Sequence, residues 1–137
     1  MEQNTNTNND IVNHPSHYEA EAITISHTYQ PRHFCELFGF NLGNAFKYLF
    51  RRTHKGSELT DLKKAENYLK QFLDNDFIFE ELRQIVENIN RTIARREMYE
   101  QFVAKKDFLK NFKVSEGSVR RLLAYTQSEI ENLEKRA

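Results

Sequence analysis

The sequence predicts an all-α protein: a small helical domain with a central antiparallel helical hairpin and a long helical C-terminal half. Three observations carry this. Turn formers are scarce, with 4 Gly and 2 Pro in 137 residues, which disfavours a turn-rich sandwich. Apolar residues recur at i, i+3, i+4 and i+7 in several windows, with 11 phenylalanines spread among them. An apolar share of 39% suffices for the modest core of one domain.

The opening MEQNTNTNND has neither the basic nor the apolar region of a signal peptide, and residues 1–12 read as a disordered tail. NHPSHY follows at 13–18, with Pro15 placed just inside a helix start, where its missing N–H costs nothing. Tyr18, Ala22, Ile25 and Tyr29 have helical spacing. AITIS also alternates like a strand, but helix is the favoured reading. Pro31 ends the segment, because the residue before a proline avoids the αR region. RHFCELFGF reads as a short helix closed by Gly39.

Asn41 to Thr53 is the clearest helix, with Leu42, Ala45, Phe46, Leu49 and Phe50 on one stripe and Gly56 as its stop. A second helix follows, capped by Ser57 or Thr60, with Asp61 in its first turn. Its stripe is Leu62, Ala65, Leu69, Phe72 and Leu73. The short connection makes the pair an antiparallel hairpin, completing a unit over 13–76.

Residues 77–137 form the second half, expected to be separable from the first. Ile78, Leu82, Ile85, Ile89 and Ile93 place one long helix over 78–104, flanked by Phe79, Val86, Tyr99, Phe102 and Val103. KDFLKNFKVSEGS breaks it, and Ser115 or Ser118 caps a last helix carrying Val119, Leu122, Leu123, Ile130 and Leu133. So much apolar surface needs cover. A homo-oligomer built through 78–133 is one expectation. The alternative is that the last helix folds back over the stripe.

Lys+Arg and Asp+Glu are equal at 20 each, so no global charge draws the chain to nucleic acid or an anionic membrane. No apolar run reaches the ~20 residues of a membrane span. The single cysteine, Cys35, cannot form an internal disulfide and fits a reducing, cytoplasmic setting. Beside His33 and Phe34 it reads as a buried small hydrophobe. The sequence has no P-loop, no Gly-rich phosphate cradle and no G-x-S-x-G elbow. The hairpin offers mainly basic groups, which counts against the all-α nucleotide pyrophosphatases, whose helices bind Mg²⁺ through clustered acidic residues.

An anion site must therefore be local, and one stripe offers it. Opposite the apolar face of 41–53 lie Asn44, Lys47, Tyr48 and Arg51, with Lys55 continuing the line. Arg supplies a planar fork, Lys a point charge, and Asn or Tyr fixes orientation. The next helix adds Lys63, Lys64 and Tyr68, with Asp61 placed to pair with Lys47 or Arg51. A solvated basic face satisfies the same periodicity and is the commoner outcome. NHPSHY has three readings: a capped structural turn, part of a metal site, or a ligand contact. Zinc needs three or four ligands, and His27, His33, Cys35 and His54 offer no clear spacing, so no structural metal is expected.

Three blocks, NHPSHY at 13–18, GNAFKYLFRRTHK at 43–55 and DLKKAENYL at 61–69, resemble a family of small phage proteins. Its members carry NHPxHY, GNxxKYxxR…K and DLxKAxxYL in that order. The family was long described as a domain of unknown function, and its members are often labelled nucleotide kinases. The resemblance covers about 13–73. Phe50 stands where the family commonly has Trp, which keeps an aromatic ring. The resemblance implies a nucleotide or other phosphate-bearing ligand, phosphoryl transfer to deoxynucleoside monophosphates, and the cytoplasm of an infected or prophage-carrying host. It makes Asn13, His14, Ser16, His17 and Tyr18 candidate contacts beside Asn44, Lys47, Tyr48, Arg51, Lys55, Asp61, Lys64 and Tyr68. His14, His17, Lys47 and Arg51 are the candidate catalytic groups. Mg²⁺ would accompany the nucleotide, with Asp61 the nearby acidic residue. The rival expectation is a non-catalytic protein that binds a host or defence protein through its C-terminal half.

Overall fold

The computed structural model describes residues 23–24, 28–52 and 56–136. NHPSHY, the 1–12 tail and Lys55 lie outside the described residues. The first described feature corrects the helix expected up to Tyr29. Ile23–Thr24 (β1) pairs antiparallel with Thr28–Tyr29 (β2), with Ile23 opposite Tyr29 and Thr24 opposite Thr28. The β-branched residues of this segment favour the pleated backbone over the helix its spacing also allows.

Pro31 sits at the first position of α1 (Pro31–Cys35), where its fixed φ suits the helix. Gln30 precedes it with extended backbone, and its N–H donates to His33 Nδ1 at 3.0 Å. A 3₁₀ turn, Glu36–Phe38, follows, and Gly39 then turns the chain with φ 79° and ψ −173°. That conformation is essentially restricted to glycine. The next helix, α2 (Gly39–Arg51), therefore starts beside α1 rather than continuing it.

The hairpin partner is α3 (Glu58–Leu73). The predicted stripes are the buried ones: Leu42, Ala45, Phe46, Leu49 and Phe50 on α2, and Leu62, Ala65, Leu69 and Phe72 on α3. Phe40 and Tyr48 of α2 meet Tyr68 and Lys64 of α3, so numbering rises along one helix as it falls along the other. Ser57 occupies the N-cap position of α3. Its hydroxyl donates to the Asp61 carboxylate at 2.9 Å rather than accepting a backbone N–H.

The long helix expected over 78–104 is two helices, α4 (Ile78–Ile89) and α5 (Ile93–Lys105). Thr92 caps α5, its hydroxyl accepting the Arg95 N–H at 3.0 Å. The buried stripe of α4 stops at Ile89, while Ile93 opens α5 with 70% of its surface exposed. Arg95 ties the corner by donating to Asn88 Oδ1, and Asn88 Nδ2 donates to the Leu37 carbonyl at 3.1 Å. Met98 and Phe102 of α5 face inward. A 3₁₀ turn, Asp107–Leu109, contributes the fully buried Leu109.

The last helix, α6 (Glu116–Arg136), is capped by Ser115, whose hydroxyl accepts the Ser118 N–H at 3.2 Å. It packs along α3 and touches α4. Val119, Leu122 and Ile130 join one hydrophobic cluster that also holds Phe34, Phe46 and Leu82. The apolar stripe of α4 is thus buried within the chain. Buried residues of both halves belong to this one cluster.

Phe34 lies at the centre of that cluster, with no exposed surface. Its ring lies 4.8 Å from Phe38, 5.2 Å from Phe46, 5.9 Å from Phe50 and 5.2 Å from Phe102, centroid to centroid. Each such pair contributes about 0.5–1.5 kcal/mol beyond area burial.

Helix packing sets a sharp demand at Gly43. A Cβ there would lie 2.7 Å from the Cys35 carbonyl oxygen, a backbone atom that cannot swing aside. Gly43→Ala is expected to destabilise the protein by about 1–3 kcal/mol through forced separation of α1 and α2. Gly117→Ala, in the first turn of α6 with only an Arg121 side-chain atom 3.6 Å away, should be neutral or stabilising by up to about 1 kcal/mol. Urea unfolding of the two variants checks the contrast, and equal effects would show that Gly43 is not a packing constraint.

Candidate functional site

The apolar stripe of α2 faces Phe34 and α3, so its opposite stripe lies along the outer side of the hairpin. There the backbone brings together most of the described candidates. Lys47 Nζ and Lys64 Nζ each lie 5.2 Å from the centre of the Tyr48 ring, and Arg51 Cζ lies 5.9 Å from it. Tyr48 stacks on Tyr68 with centroids 6.0 Å apart and planes 8° from parallel. Asn44 spends its amide locally, donating to the Phe40 carbonyl at 2.7 Å.

Three cations thus surround one phenol ring, and among the described residues none of the three forms an ion pair with a carboxylate. An exposed cation over an aromatic face gains only about 0.5–1 kcal/mol. Those contacts position the charges without neutralising them.

Two expected members stand elsewhere. Asp61 is buried at the start of α3 and takes the Ser57 hydroxyl, with no pair to Lys47 or Arg51. Lys63 turns away and pairs with Glu134 of α6 at 3.1 Å. No mixed-charge clamp therefore forms across the groove among the described residues. Asn13, His14, Ser16, His17, Tyr18 and Lys55 lie outside the described residues. So do His27 and His54, which the metal reading needed. Among the described residues, no three His, Cys, Asp or Glu side chains gather to hold a metal ion.

Two neighbours were not singled out in the sequence. Arg32 of α1 lines a cleft of about 240 Å³ together with Asn44 and Lys47, and Glu36 and Cys35 share its wall. Its guanidinium lies 3.6 Å from Glu36, while its Nε is buried without an acceptor. Phe40 is 73% exposed and meets Tyr68 edge to face at 5.8 Å. Phe40 stands four residues before Asn44 and eight before Tyr48. That spacing was the available signal, hidden because Gly39 was read as separating Phe40 from the helix. Burial and the Glu36 carboxylate push the Cys35 thiol well above its ordinary range, which disfavours a nucleophilic role.

The adjacent arginines have opposite partners. Arg52 Nη1 donates to Glu129 of α6 at 3.2 Å, Nη2 donates to the Tyr125 hydroxyl, and the guanidinium lies over the Tyr125 ring at 5.1 Å. Its side chain is only 14% exposed. Arg51→Ala should leave stability within about 0.5 kcal/mol, as for a surface substitution. Arg52→Ala should cost about 1.5–3 kcal/mol by stranding its α6 partners. Thermal unfolding of both variants tests the division. A larger loss from Arg51→Ala would make Arg51 structural and remove it from the site.

Residues 12–70 match the model of a family described as a protein of unknown function, DUF3310. The match takes in all of α1 and α2 and stops three residues short of the end of α3. No curated protein and no solved structure matches the chain. Among the described residues, no helix is long and apolar enough to cross a membrane.

Proposed function

We propose that the outer face of the α2–α3 hairpin binds a phosphate-bearing small molecule, with a nucleotide as the ligand class. One observation carries this reading: Lys47, Arg51 and Lys64 converge on the Tyr48 ring, and among the described residues none of them is ion-paired to a carboxylate. An anion placed there gains charge-assisted hydrogen bonds from a guanidinium fork and two ammonium groups, and it relieves their mutual repulsion. Equal numbers of acidic and basic residues over the whole chain favour a small anion over a long polyanion.

The resemblance to nucleotide-kinase-labelled phage proteins supports a reaction: transfer of a phosphoryl group to a deoxynucleoside monophosphate. Without a P-loop, catalysis would rest on positioning and on charge stabilisation of the group in transit. In this proposal Lys47, Arg51 and Lys64 hold phosphate oxygens. His14 or His17 would act as the acid–base group near neutral pH. Any Mg²⁺ accompanying the nucleotide would supply charge neutralisation of the phosphates, with Asp61 the acidic residue the sequence offers nearby. Asp61 is already held by Ser57 and is poorly placed to reach it.

A thermal-shift panel of nucleoside mono-, di- and triphosphates, with and without Mg²⁺, tests the binding claim. A ligand at 100 times its Kd should raise the unfolding free energy by about 2.7 kcal/mol. Arg51→Ala and Lys64→Ala should each weaken it by roughly tenfold or more, the worth of a hydrogen bond to a charged group. Silence across the panel contradicts the reading. It would favour the rival, self-association or host-protein binding through the C-terminal half, where Phe77, Phe79 and Ile93 are exposed.

A further inference from the structure

The cationic cluster has an aromatic end, and nothing in the phosphate reading uses it. Phe40 begins α2 on the same stripe as Asn44, Tyr48 and Arg51, yet 73% of its surface is open. Single exposed apolar residues are ordinary. Phe40 is different in being contiguous with other rings: its edge meets Tyr68 at 5.8 Å, and Tyr68 stacks on Tyr48 at 6.0 Å. The cations gather at the Tyr48 end of this row. Phe40 is the open ring at the other end. It also borders a cavity of about 500 Å³ whose wall includes Asn41 and Gln84 together with the acidic residues Glu36, Glu81 and Glu87, an end that suits the uncharged base rather than the phosphate. That volume lies within the usual range for small-molecule sites.

A face that is cationic at one end and aromatic at the other suits a ligand with the same polarity. Inorganic phosphate or a sugar phosphate would use only the cations. A nucleotide would use both ends, because every base has a π-face that stacks on an exposed aromatic ring. Building on the phosphate reading above, we infer that Phe40 is the base-stacking residue of the site. Its ring receives the base of a mononucleotide whose phosphate lies among Lys47, Arg51 and Lys64. Stacking tolerates all bases, so Phe40 selects nucleotides over other phosphates rather than one base over another.

Titration calorimetry on the full chain tests this with three kinds of probe: the deoxynucleoside 5′-monophosphates, deoxyribose 5-phosphate, and a short single-stranded oligodeoxynucleotide. The wild type should bind the monophosphates more tightly than the sugar phosphate. Phe40→Ala, at an exposed position, should melt like the wild type. It should lose about tenfold or more in affinity for the monophosphates, as expected from loss of one base stack, and keep its affinity for the sugar phosphate. Phe40→Trp should restore binding. Equal loss for both small probes, or no loss for either, overturns the stacking role while leaving the phosphate site standing. Binding of the oligonucleotide without the mononucleotides overturns it in favour of a strand-binding face. Failure of every probe on the wild type removes the phosphate reading, and this inference with it.

Discussion

The packing of Phe34 is the interaction on which the rest of the molecule depends. One fully buried ring from a five-residue helix touches aromatic side chains of the 3₁₀ turn, α2 and α5. Tyr99 lies nearly parallel to it at 6.0 Å, and Phe102 reaches it from the same helix. Truncating a buried phenylalanine of this kind costs about 3–5 kcal/mol, a large share of the 5–15 kcal/mol that holds a typical domain folded. The cluster fixes the rotation of α2 about its own axis, with Phe46 and Phe50 turned inward. Because side chains on a helix are locked in angle to one another, the same rotation turns Lys47, Tyr48 and Arg51 outward. The core and the candidate site are two sides of one constraint.

The close approach of α1 to α2 is the second element of this arrangement. Gly43 lets the Cys35 carbonyl come within a distance no side chain would tolerate, and Gly39 supplies the turn that places the helices side by side. Together these glycines bring Arg32 to the cleft shared with Lys47 and Asn44. On the far side of α3, Gln127 donates to Glu66 at 3.1 Å, while Lys63 pairs with Glu134 and Arg52 with Glu129. Those polar contacts with α6 engage charges on the inner side of the hairpin. Among the described residues, Lys47, Arg51 and Lys64 form no ion pair with a carboxylate of this packing.

How much of this was legible depended on the range of the interaction involved. The α2 and α3 stripes could be read because periodicity of apolar residues is a local property that burial enforces directly. The segment around Ile23 could not, because AITIS satisfies both periodicities and the choice falls to pairing with Thr28–Tyr29. The corner between α4 and α5 was hidden because Ile89 and Ile93 keep a four-residue spacing straight through it. What breaks the helix there is a Thr92 cap and an Arg95–Asn88 contact. Arg51 could be placed from helix geometry alone. Arg52 could not, since its partners lie 73 and 77 residues away. Phe40 shares the spacing of Asn44 and Tyr48, but Gly39 reads locally as the stop of the preceding helix and masks that Phe40 already belongs to α2.

The central claim, that the outward face created by the Phe34 core is an anion site, is tested most directly by nuclear magnetic resonance. The measurement is a map of amide and side-chain shifts during titration with a deoxynucleoside monophosphate. The account predicts saturable changes centred on Lys47, Tyr48, Arg51, Lys64 and Tyr68, with Phe40 joining them and α6 unmoved. Changes confined to α4 and α5, or none on the hairpin at saturating ligand, would contradict it.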